Sequence, residues 1–170
     1  MSKLGGGTSG YFGHIRHRGA AVKNNGEASG SVHIMQLFET MVDVVSQGSV
    51  RRGRFSPYLP VEHKDISEFL DIGTEGNPIQ NLQYGVTITD DWMKSMISGA
   101  KRKREVWAKI IQRRNEFGFP YIMFKDNTNN NSPYKELGLE ITASNLCSEI
   151  QLPTDSYNSF VCCLGSINLL

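Results

Sequence analysis

The sequence predicts an α/β fold, because segments with helical periodicity alternate with short apolar segments of the strand type. Residues 32–45 and 101–118 repeat apolar side chains at spacings of three and four, which is typical of helices with one buried face. Residues 84–89 are rich in β-branched side chains, and residues 119–127 form a second apolar run with the character of a buried strand. The sequence contains no internal repeat.

The chain begins with glycine-rich sequence. Residues 1–30 contain eight of the 17 glycines, so we expect a loop-rich opening and not the first element of a regular core. The helix predicted over residues 32–45 ends near Gly48. Residues 54–61, RFSPYLPV, then predict a short extended run that its two prolines break.

Helices and strands follow one another more regularly in the rest of the chain. Residues 63–72 predict a short helix with its apolar side chains on one side, and the strand at 84–89 comes next. The two aspartates at 90–91 are of the kind that begin a helix. After the helix over 101–118 and the following strand, residues 127–138 predict a long turn.

The charge balance excludes several classes of partner. The chain has 170 residues, with 18 basic and 17 acidic side chains, so it has no overall field that would attract nucleic acid or a membrane surface. No apolar run approaches the roughly 18 residues of a membrane-spanning helix, and the N-terminus lacks the apolar core of a signal peptide. We therefore expect a cytoplasmic protein that binds neither nucleic acid nor membrane.

Basic side chains surround the apolar positions of residues 101–118. They are suited to contact with phosphate, but a helix face covered by solvent is the more common reason for this pattern. We expect the solvated face.

The three cysteines, Cys147, Cys162 and Cys163, all lie in the last 24 residues. An odd number in one cluster does not indicate a disulfide framework. The four histidines are far away in sequence and the cysteines lack the spacing of zinc ligands, so we expect no metal site. Redox or radical chemistry and inert buried thiols both remain open from the residues alone.

The segment 143–153, ASNLCSEIQLP, places Asn145, Cys147 and Glu149 at two-residue spacing. In an extended strand these three side chains would point to the same side. A thiol between two hydrogen-bonding groups is unusual on a solvated face, since free cysteine is among the residues most often buried. The pattern predicts a row of side chains in the wall of a polar cavity.

Five segments together resemble one family, and they are GYFGHIRHRG, SQGSVRRGRFSPYLPVEHKDISEFL, FGFPYIMFKDNTNNNSP, ASNLCSEIQLP and SFVCCLGSINL. In this order they are similar to the large, catalytic α chain of class I ribonucleotide reductase. The resemblance covers essentially the whole chain. It implies that residues 1–170 are part of a ten-stranded α/β barrel, an incomplete barrel domain that includes the effector loop, the substrate-specificity loop and the active-site cysteine loop.

The resemblance assigns a role to each residue of the triplet. Cys147 matches the cysteine that becomes a thiyl radical and abstracts the 3′ hydrogen atom of the ribose. Glu149 matches the general base at the 3′ hydroxyl, and Asn145 matches the residue that hydrogen-bonds the ribose hydroxyls. Sulfur suits this role because it can carry an unpaired electron, and a carboxylate within hydrogen-bond reach can take the hydroxyl proton.

Cys162 matches one member of the family's redox dithiol pair, which is oxidised to a disulfide as the 2′ hydroxyl leaves as water. The sequence has no cysteine before Cys147, so the usual upstream partner is absent. Cys163 is adjacent to Cys162, and a bond between neighbouring cysteines is strained, so we expect Cys163 to be a structural or bystander thiol.

Two loops match the family's allosteric elements. Arg16, in GHIRHRG, matches the arginine that holds the effector's phosphates, a task that suits the paired donors of a guanidinium. Gln47 and Arg51, in SQGSVRRGR, match positions of the substrate-specificity loop that read the substrate base. Arg54 departs from the family, in which a small residue is usual at this position.

The resemblance also implies partners and a limit. The partners are the remaining segments of the large subunit, a radical-generating small subunit that carries a metal, a reductant of the thioredoxin or glutaredoxin type, the nucleotide substrate, and ATP or dNTP effectors; no cofactor is expected in the chain itself. We expect a piece of a longer enzyme that is inactive alone. Two hypotheses stay open, namely a segment of a split reductase and a non-catalytic remnant that still binds nucleotide.

Overall fold

The computed structural model describes residues 2–46, 52–163 and 165–169. Its sheet consists of four parallel strands in the spatial order β1-β2-β3-β4, with β1 at Gly7–Tyr11, β2 at Arg54–Pro60, β3 at Gly85–Ile88 and β4 at Tyr121–Phe124. Parallel neighbours need a long crossover, and each crossover here carries a helix. The predicted α/β class is confirmed.

Five α-helices accompany the strands in the described part of the chain. They are α1 at Ser31–Val45, α2 at Ile66–Phe69, α3 at Asp90–Ile97, α4 at Lys101–Phe117 and α5 at Lys125–Asn130. Two short 3-10 helices lie at Ser2–Leu4 and Lys135–Leu137. None of the described helices combines the length and the hydropathy that a bilayer-spanning helix needs.

The two faces of the sheet have different neighbours. On the helix face, Phe55 and Leu59 of β2 belong to one large apolar cluster with residues of α1, α2, α3 and α4. The Phe38 ring of α1 stacks on Phe55 with 4.4 Å between the ring centroids. The opposite face carries the alternate residues of β2, Ser56 and Tyr58, which are fully buried. That second face is the one that meets the segment containing Cys147.

Local signals correctly predicted one end of each of two helices. Helix α3 begins at Asp90, as the two aspartates at 90–91 predict, and the Thr89 hydroxyl before it caps the helix by accepting a hydrogen bond from the Trp92 N–H over 3.3 Å. Gly118 ends α4 in the left-handed conformation with a φ of 79°, and its N–H donates to the Arg114 carbonyl oxygen over 2.9 Å.

The prediction of a loop-rich opening without a core element is wrong, because β1 lies within residues 1–30 and pairs along its whole length with β2. Its glycines serve close packing and not flexibility. A Cβ on Gly10 would come within 3.2 Å of the Phe55 ring, and a Cβ on Gly7 would overlap the Leu146 side chain.

The prolines of residues 54–61 do not break the predicted extended run. Pro57 lies opposite Gly10 and Pro60 opposite Thr87, within one continuous strand that has neighbours on both sides. The fixed φ of proline falls inside the extended region, so the ring costs a ladder hydrogen bond without bending the chain away.

The long turn predicted at 127–138 is wrong in its first part, where α5 continues to Asn130. Tertiary contacts hold this asparagine-rich helix in place. The Asn129 amide donates to the carbonyl oxygens of Lys125 and Ile141, each over 2.9 Å, and accepts from the Ile141 N–H over 2.8 Å.

The basic side chains of α4 mostly contact the protein itself, which the prediction of a solvated face did not include. Arg104 donates to the carbonyl oxygens of Met96 and Ile97 at the end of α3, over 3.2 and 3.0 Å. Lys109 and Arg113 both pair with the Asp71 carboxylate, over 2.8 and 3.0 Å. These contacts attach α4 to the end of α3 and to the segment that follows α2.

Candidate active site

The segment that carries Cys147 is a turn and not a strand. The Asn145 N–H donates to the Ile150 carbonyl oxygen over 3.0 Å, and the Ser148 N–H donates to the Asn145 carbonyl oxygen over 3.3 Å. Ser148 has a φ of 69°, which lies in the left-handed region. The predicted row of Asn145, Cys147 and Glu149 along one strand face is therefore wrong, because the chain reverses between them.

The Asn145 side chain is the physical reason for this turn. Its Oδ1 atom accepts hydrogen bonds from the N–H groups of Glu149 and Ile150, each over 3.1 Å. Asparagine competes with the extended backbone in this way. The two donors fix the orientation of the amide, and no residue in the described ranges accepts a hydrogen bond from the Nδ2 group. That group is available to a ligand.

The sheet holds the turn through its second face. The Tyr58 hydroxyl of β2 donates to the Asn145 carbonyl oxygen over 3.2 Å, and the Ser9 hydroxyl of β1 donates to the Ser144 carbonyl oxygen over 2.7 Å. The Ser144 hydroxyl in turn donates to the Ile150 carbonyl oxygen over 2.9 Å. The backbone on the N-terminal side of Cys147 is thus attached to two neighbouring strands.

Two strand glycines make room for these contacts. A Cβ on Gly85 would overlap the Tyr58 ring, which lies across β3, and a Cβ on Gly7 would overlap Leu146. Leu146 directly precedes Cys147, so both glycines bear on the position of the same turn.

Two phenols close to the turn stay protonated at neutral pH. Burial raises the pKa of Tyr58, and nearby serine hydroxyls lower it by a smaller amount. Burial also raises the pKa of Tyr121 on β4, and the negative charges that Cys147 and Glu149 can carry raise it further. Both tyrosines are hydrogen-bond donors beside the candidate site.

A cavity of about 660 Å³ lies next to the turn. Asn145 and Cys162 contribute to its wall, whereas Cys147 and Glu149 do not and are exposed. The predicted position in a polar cavity wall therefore holds for Asn145 alone within the triplet. The wall residues with hydroxyl, imidazole or carboxylate groups include Ser9, Tyr11, His14, Glu140, Thr142 and Asp155.

The three cysteines are unpaired and exposed, so none of them is a buried thiol in this chain by itself. Cys162 lies at the cavity, and its neighbour Cys163 does not line it. Among the residues whose positions are described, no three histidine, cysteine or acidic side chains are grouped so that they could hold a metal ion.

Arg16 lies outside the cavity wall, in the loop between β1 and α1. Its side chain is exposed, and it has no hydrogen bond or ion pair with the described part of the chain. Arg16 is therefore not part of the cavity wall to which Asn145 and Cys162 contribute.

The two predicted residues of the substrate-specificity loop, Gln47 and Arg51, lie outside the described residues. On either side of them, the Ser46 hydroxyl oxygen accepts a hydrogen bond from the Gly53 N–H over 3.2 Å. Arg54 is the first residue of β2, and its guanidinium donates to the Asn81 carbonyl oxygen over 3.4 Å.

Sequence reasoning missed the residues that hold the turn, Ser9 and Tyr58. A signal for both was present in RFSPYLP and GTSGY, where a serine and a tyrosine are two residues apart. Identifying the strand GTSGY and its neighbour would have placed Ser9 and Tyr58 on one face.

Comparison with known proteins connects this geometry to a family. A family model described as "Ribonucleotide reductase, barrel domain" matches residues 1–103 and 98–170. A solved structure of the Actinobacillus ureae class Id ribonucleotide reductase alpha subunit aligns with a TM-score of 0.88 and 52% identity, over 96% of this chain and 30% of that one.

Curated relatives from distant organisms give the same result. A vitamin B12-dependent ribonucleoside-diphosphate reductase of Thermoplasma acidophilum is 34% identical, over 99% of this chain and 24% of its own length. The ribonucleoside-diphosphate reductase subunit alpha of Bacillus subtilis is 27% identical, over 100% of this chain and 32% of its own length. The chain thus spans about a quarter to a third of the length of these relatives.

Proposed function

The chain belongs to the ribonucleotide reductase family through its barrel domain, and on this premise we propose that it is a segment of a ribonucleoside-diphosphate reductase catalytic subunit. Assembled with the remaining segments, it reduces ribonucleotides to 2′-deoxyribonucleotides by thiyl-radical chemistry. The observation that supports this most directly is the turn at residues 145–150, which places a thiol and a carboxylate beside an amide whose Nδ2 group is available to a ligand.

Each member of the triplet has one task in this proposal. Cys147, as a thiyl radical, takes the hydrogen atom from C3′ of the ribose. Glu149 takes the proton of the 3′ hydroxyl as the substrate radical forms. Asn145 donates from Nδ2 to a ribose hydroxyl, since its Oδ1 atom is already held by the turn. The same side chain then shapes the turn and binds the ribose.

The reduction consumes two thiols. The 2′ hydroxyl leaves as water, the nucleotide gains two electrons, and two thiols are oxidised to one disulfide. Cys147 returns the hydrogen atom to C3′ and becomes a thiyl radical again. Cys162 supplies one of the two thiols from the cavity wall, and its partner thiol lies in another segment.

The oxidising equivalent for Cys147 comes from outside the chain. We assign the radical source to a partner subunit and the re-reduction of the disulfide to a reductant of the thioredoxin or glutaredoxin type. Three free thiols suit a reducing compartment, and we place the assembled enzyme in the cytoplasm.

Assembly with further segments has support in exposed apolar side chains near the end of the described chain, within residues 157–163 and 165–169. Tyr157 is 94% exposed and Leu169 is 94% exposed, and Ile167 is 87% exposed. Apolar side chains of this size usually pack against another surface. Phe160 and Cys162 of this segment line the cavity beside Asn145, so a partner that covers the segment would also close the candidate site.

The test is an assay of the chain co-expressed with the proteins encoded beside it, supplied with a radical-generating subunit and a dithiol reductant. We expect deoxyribonucleotide formation by the complex and none by the chain alone. Cys147→Ser abolishes turnover and leaves nucleotide binding almost unchanged, because it removes the radical carrier and little volume. Turnover by the Cys147→Ser complex would refute the assignment.

Two further cysteine variants complete the design. Cys162→Ser blocks steady turnover, because one electron source is lost. Cys163→Ser is the matched control, since it removes an adjacent thiol outside the cavity wall, and it keeps most of the activity. Equal losses in both variants would count against a specific redox role for Cys162.

Nucleotide binding without turnover is the second candidate function. Arg16 supports it, because its exposed guanidinium lies in a loop that is held entirely by residues of this chain. A chain that binds dATP but never forms deoxyribonucleotide, even with its neighbouring segments, would establish this alternative.

A further inference from the structure

One buried carboxylate holds both ends of the loop that follows Arg16. Asp65, at the start of α2, is 6% exposed. Its Oδ1 atom accepts a hydrogen bond from the Arg18 N–H over 2.9 Å. Its Oδ2 atom accepts from the Ser31 N–H over 2.9 Å and from the Ser31 hydroxyl over 3.0 Å. Residues 19–30 thus form a loop whose ends meet at a single side chain.

His63 holds the same loop at a second point. Its Nδ1 atom accepts a hydrogen bond from the Asp65 N–H over 3.1 Å, so the ring proton is on Nε2. That Nε2–H group donates to the Ile15 carbonyl oxygen over 2.9 Å. The Asp65 backbone therefore fixes the tautomer that lets His63 bind the loop.

These bonds flank Arg16 on both sides along the chain. The Ile15 carbonyl precedes it and the Arg18 amide follows it, and both are bound to residues that immediately precede or begin α2. The two arginines differ in their own partners. Arg18 is paired with Glu68 over 2.6 Å, whereas the Arg16 guanidinium is exposed without a partner in the described part of the chain.

Gly30 lets this arrangement close. It has a φ of 96°, and a Cβ at this position would come within 3.0 Å of Asp65 Oδ2 and 3.1 Å of the Arg18 nitrogen. A side chain there would be strained and would press on the carboxylate itself. The end of the loop that leads into α1 therefore packs closely against the Asp65 carboxylate.

We propose that His63 and Asp65 are positioning residues that fix the backbone on both sides of Arg16 and so present its guanidinium, in a fixed place, to the phosphates of a nucleoside triphosphate. The inference rests on the proposed effector role of Arg16. Positioning raises affinity because a loop that is already ordered loses less conformational entropy when the ligand binds.

A purely structural role for Asp65 would stabilise α1 and leave nucleotide affinity unchanged. The two roles differ in whether Asp65 acts through Arg16. A double-mutant cycle measures this directly, since residues that act through each other show non-additive effects.

The experiment uses the full chain in its complex and measures amide hydrogen exchange and dATP binding in parallel. In Asp65→Asn, an amide NH₂ group replaces one carboxylate oxygen. This group cannot accept the hydrogen bonds that Arg18 or Ser31 donate to that oxygen. We expect exchange at the Arg18 and Ser31 amides to accelerate about tenfold or more, and dATP affinity to fall about tenfold, from the loss of hydrogen bonds to a charged acceptor. Glu68→Gln is the matched control on the same helix, and it leaves dATP affinity within about twofold because its ion pair is exposed.

Arg16→Gln completes the cycle. If Asp65 acts through Arg16, Asp65→Asn has no further effect on dATP affinity in the Arg16→Gln background. A full additional loss in that background, or unchanged exchange and affinity in the Asp65→Asn single variant, would overturn the inference. If Asp65→Asn fails to fold, Ser31→Ala is used in its place, with the same cycle and a smaller expected loss.

Failure of the effector assignment has a different signature. Unchanged dATP affinity in Arg16→Gln refutes the role of Arg16 as a phosphate ligand, and with it the positioning of that residue for nucleotide. Faster exchange at the Arg18 and Ser31 amides in Asp65→Asn would then show only that the loop is held as described.

Discussion

The phenolic oxygen of Tyr58 lies 3.2 Å from the carbonyl oxygen of Asn145 and donates a hydrogen bond that joins strand β2 to the turn carrying Cys147. The two residues are 87 positions apart in the sequence. Tyr58 is fully buried, so its hydroxyl has no access to bulk water as an alternative partner. The hydrogen bond therefore holds the turn on the sheet, together with the one from the Ser9 hydroxyl to the Ser144 carbonyl oxygen.

Tyr58→Phe removes this hydrogen bond while keeping the ring. We expect the free energy of unfolding to fall by about 1 kcal/mol, as for a typical buried hydrogen bond. The catalytic rate of the assembled enzyme falls more than its substrate affinity, because the displaced turn carries the reacting thiol. Urea unfolding and steady-state kinetics measure the two effects. Tyr157→Phe is the control, since Tyr157 is 94% exposed; equal effects in both variants would contradict the prediction.

Gly85→Ala tests whether the position of the Tyr58 ring, and with it the bond to Asn145, is fixed by packing against β3. Its methyl group would overlap the Tyr58 ring, and we expect a loss of about 1–3 kcal/mol in the free energy of unfolding, as for overpacked cores. Denaturant unfolding measures the loss. Gly165→Ala is the control, because a Cβ there meets nothing within 4 Å among the described residues. A Gly85→Ala protein as stable as the control would show that Tyr58 moves freely.

Tyr84→Phe changes the response of the protein to high pH. Burial raises the pKa of Tyr84 to about 12, so the folded state holds the phenolic proton more tightly than the unfolded state. Relative to alkaline solution, the contribution of this proton to stability is fully present below about pH 10, is lost as pH rises through about 12, and is on the order of a few kcal/mol. Tyr84→Phe removes this decline.

We also expect Tyr84→Phe to keep or raise the free energy of unfolding at neutral pH. The Tyr84 hydroxyl is buried and has no hydrogen-bond partner in the described part of the chain. Replacing it by hydrogen avoids an unsatisfied group, and we expect a protein as stable as the parent or about 1 kcal/mol more stable. Unfolding curves at pH 7 and pH 11 measure both effects. A clear loss of stability at pH 7 would show that the hydroxyl has a partner.

The lowered pKa of Asp65 predicts that the protein loses stability in acid. Burial raises its pKa, but the hydrogen bonds from Ser31 and Arg18, together with the nearby His63, outweigh burial and leave the pKa below its usual value. A lowered pKa stabilises the folded state above the pKa of the unfolded chain, about 4, and this stabilisation disappears as pH falls further. Between pH 5 and pH 3, the free energy of unfolding should fall less with decreasing pH in Asp65→Asn than in the parent. An equal fall in both proteins would contradict the lowered pKa of Asp65.

The exposure of the three cysteines predicts their reactivity. Cys147, Cys162 and Cys163 are free and exposed, so Ellman's reagent should modify all three in the native chain without denaturant. Assembly with the neighbouring segments should protect Cys147, because a closed radical site excludes the reagent. Native thiols that react only after unfolding would show that the turn is buried.

The sequence alone determined the elements that depend on local signals. Helices α1, α3 and α4 and strand β3 follow from apolar periodicity, from the two aspartates at 90–91 and from the glycine that ends α4, all of which act within a few residues. The family and the identity of the candidate triplet were also recognisable, because they depend on which residues occur and in what order.

Tertiary structure decided the remaining features, because they depend on residues far apart in the chain. Strand β1 was not predicted, since its glycines are explained only by the side chains of Phe55 and Leu146 that press against them. The site changed from a row into a turn because Asn145 captures two backbone N–H groups, and Ser9, 135 residues from Ser144, fixes that turn on the sheet. Local patterns carry no information about such contacts, which form only when the sheet brings its strands together.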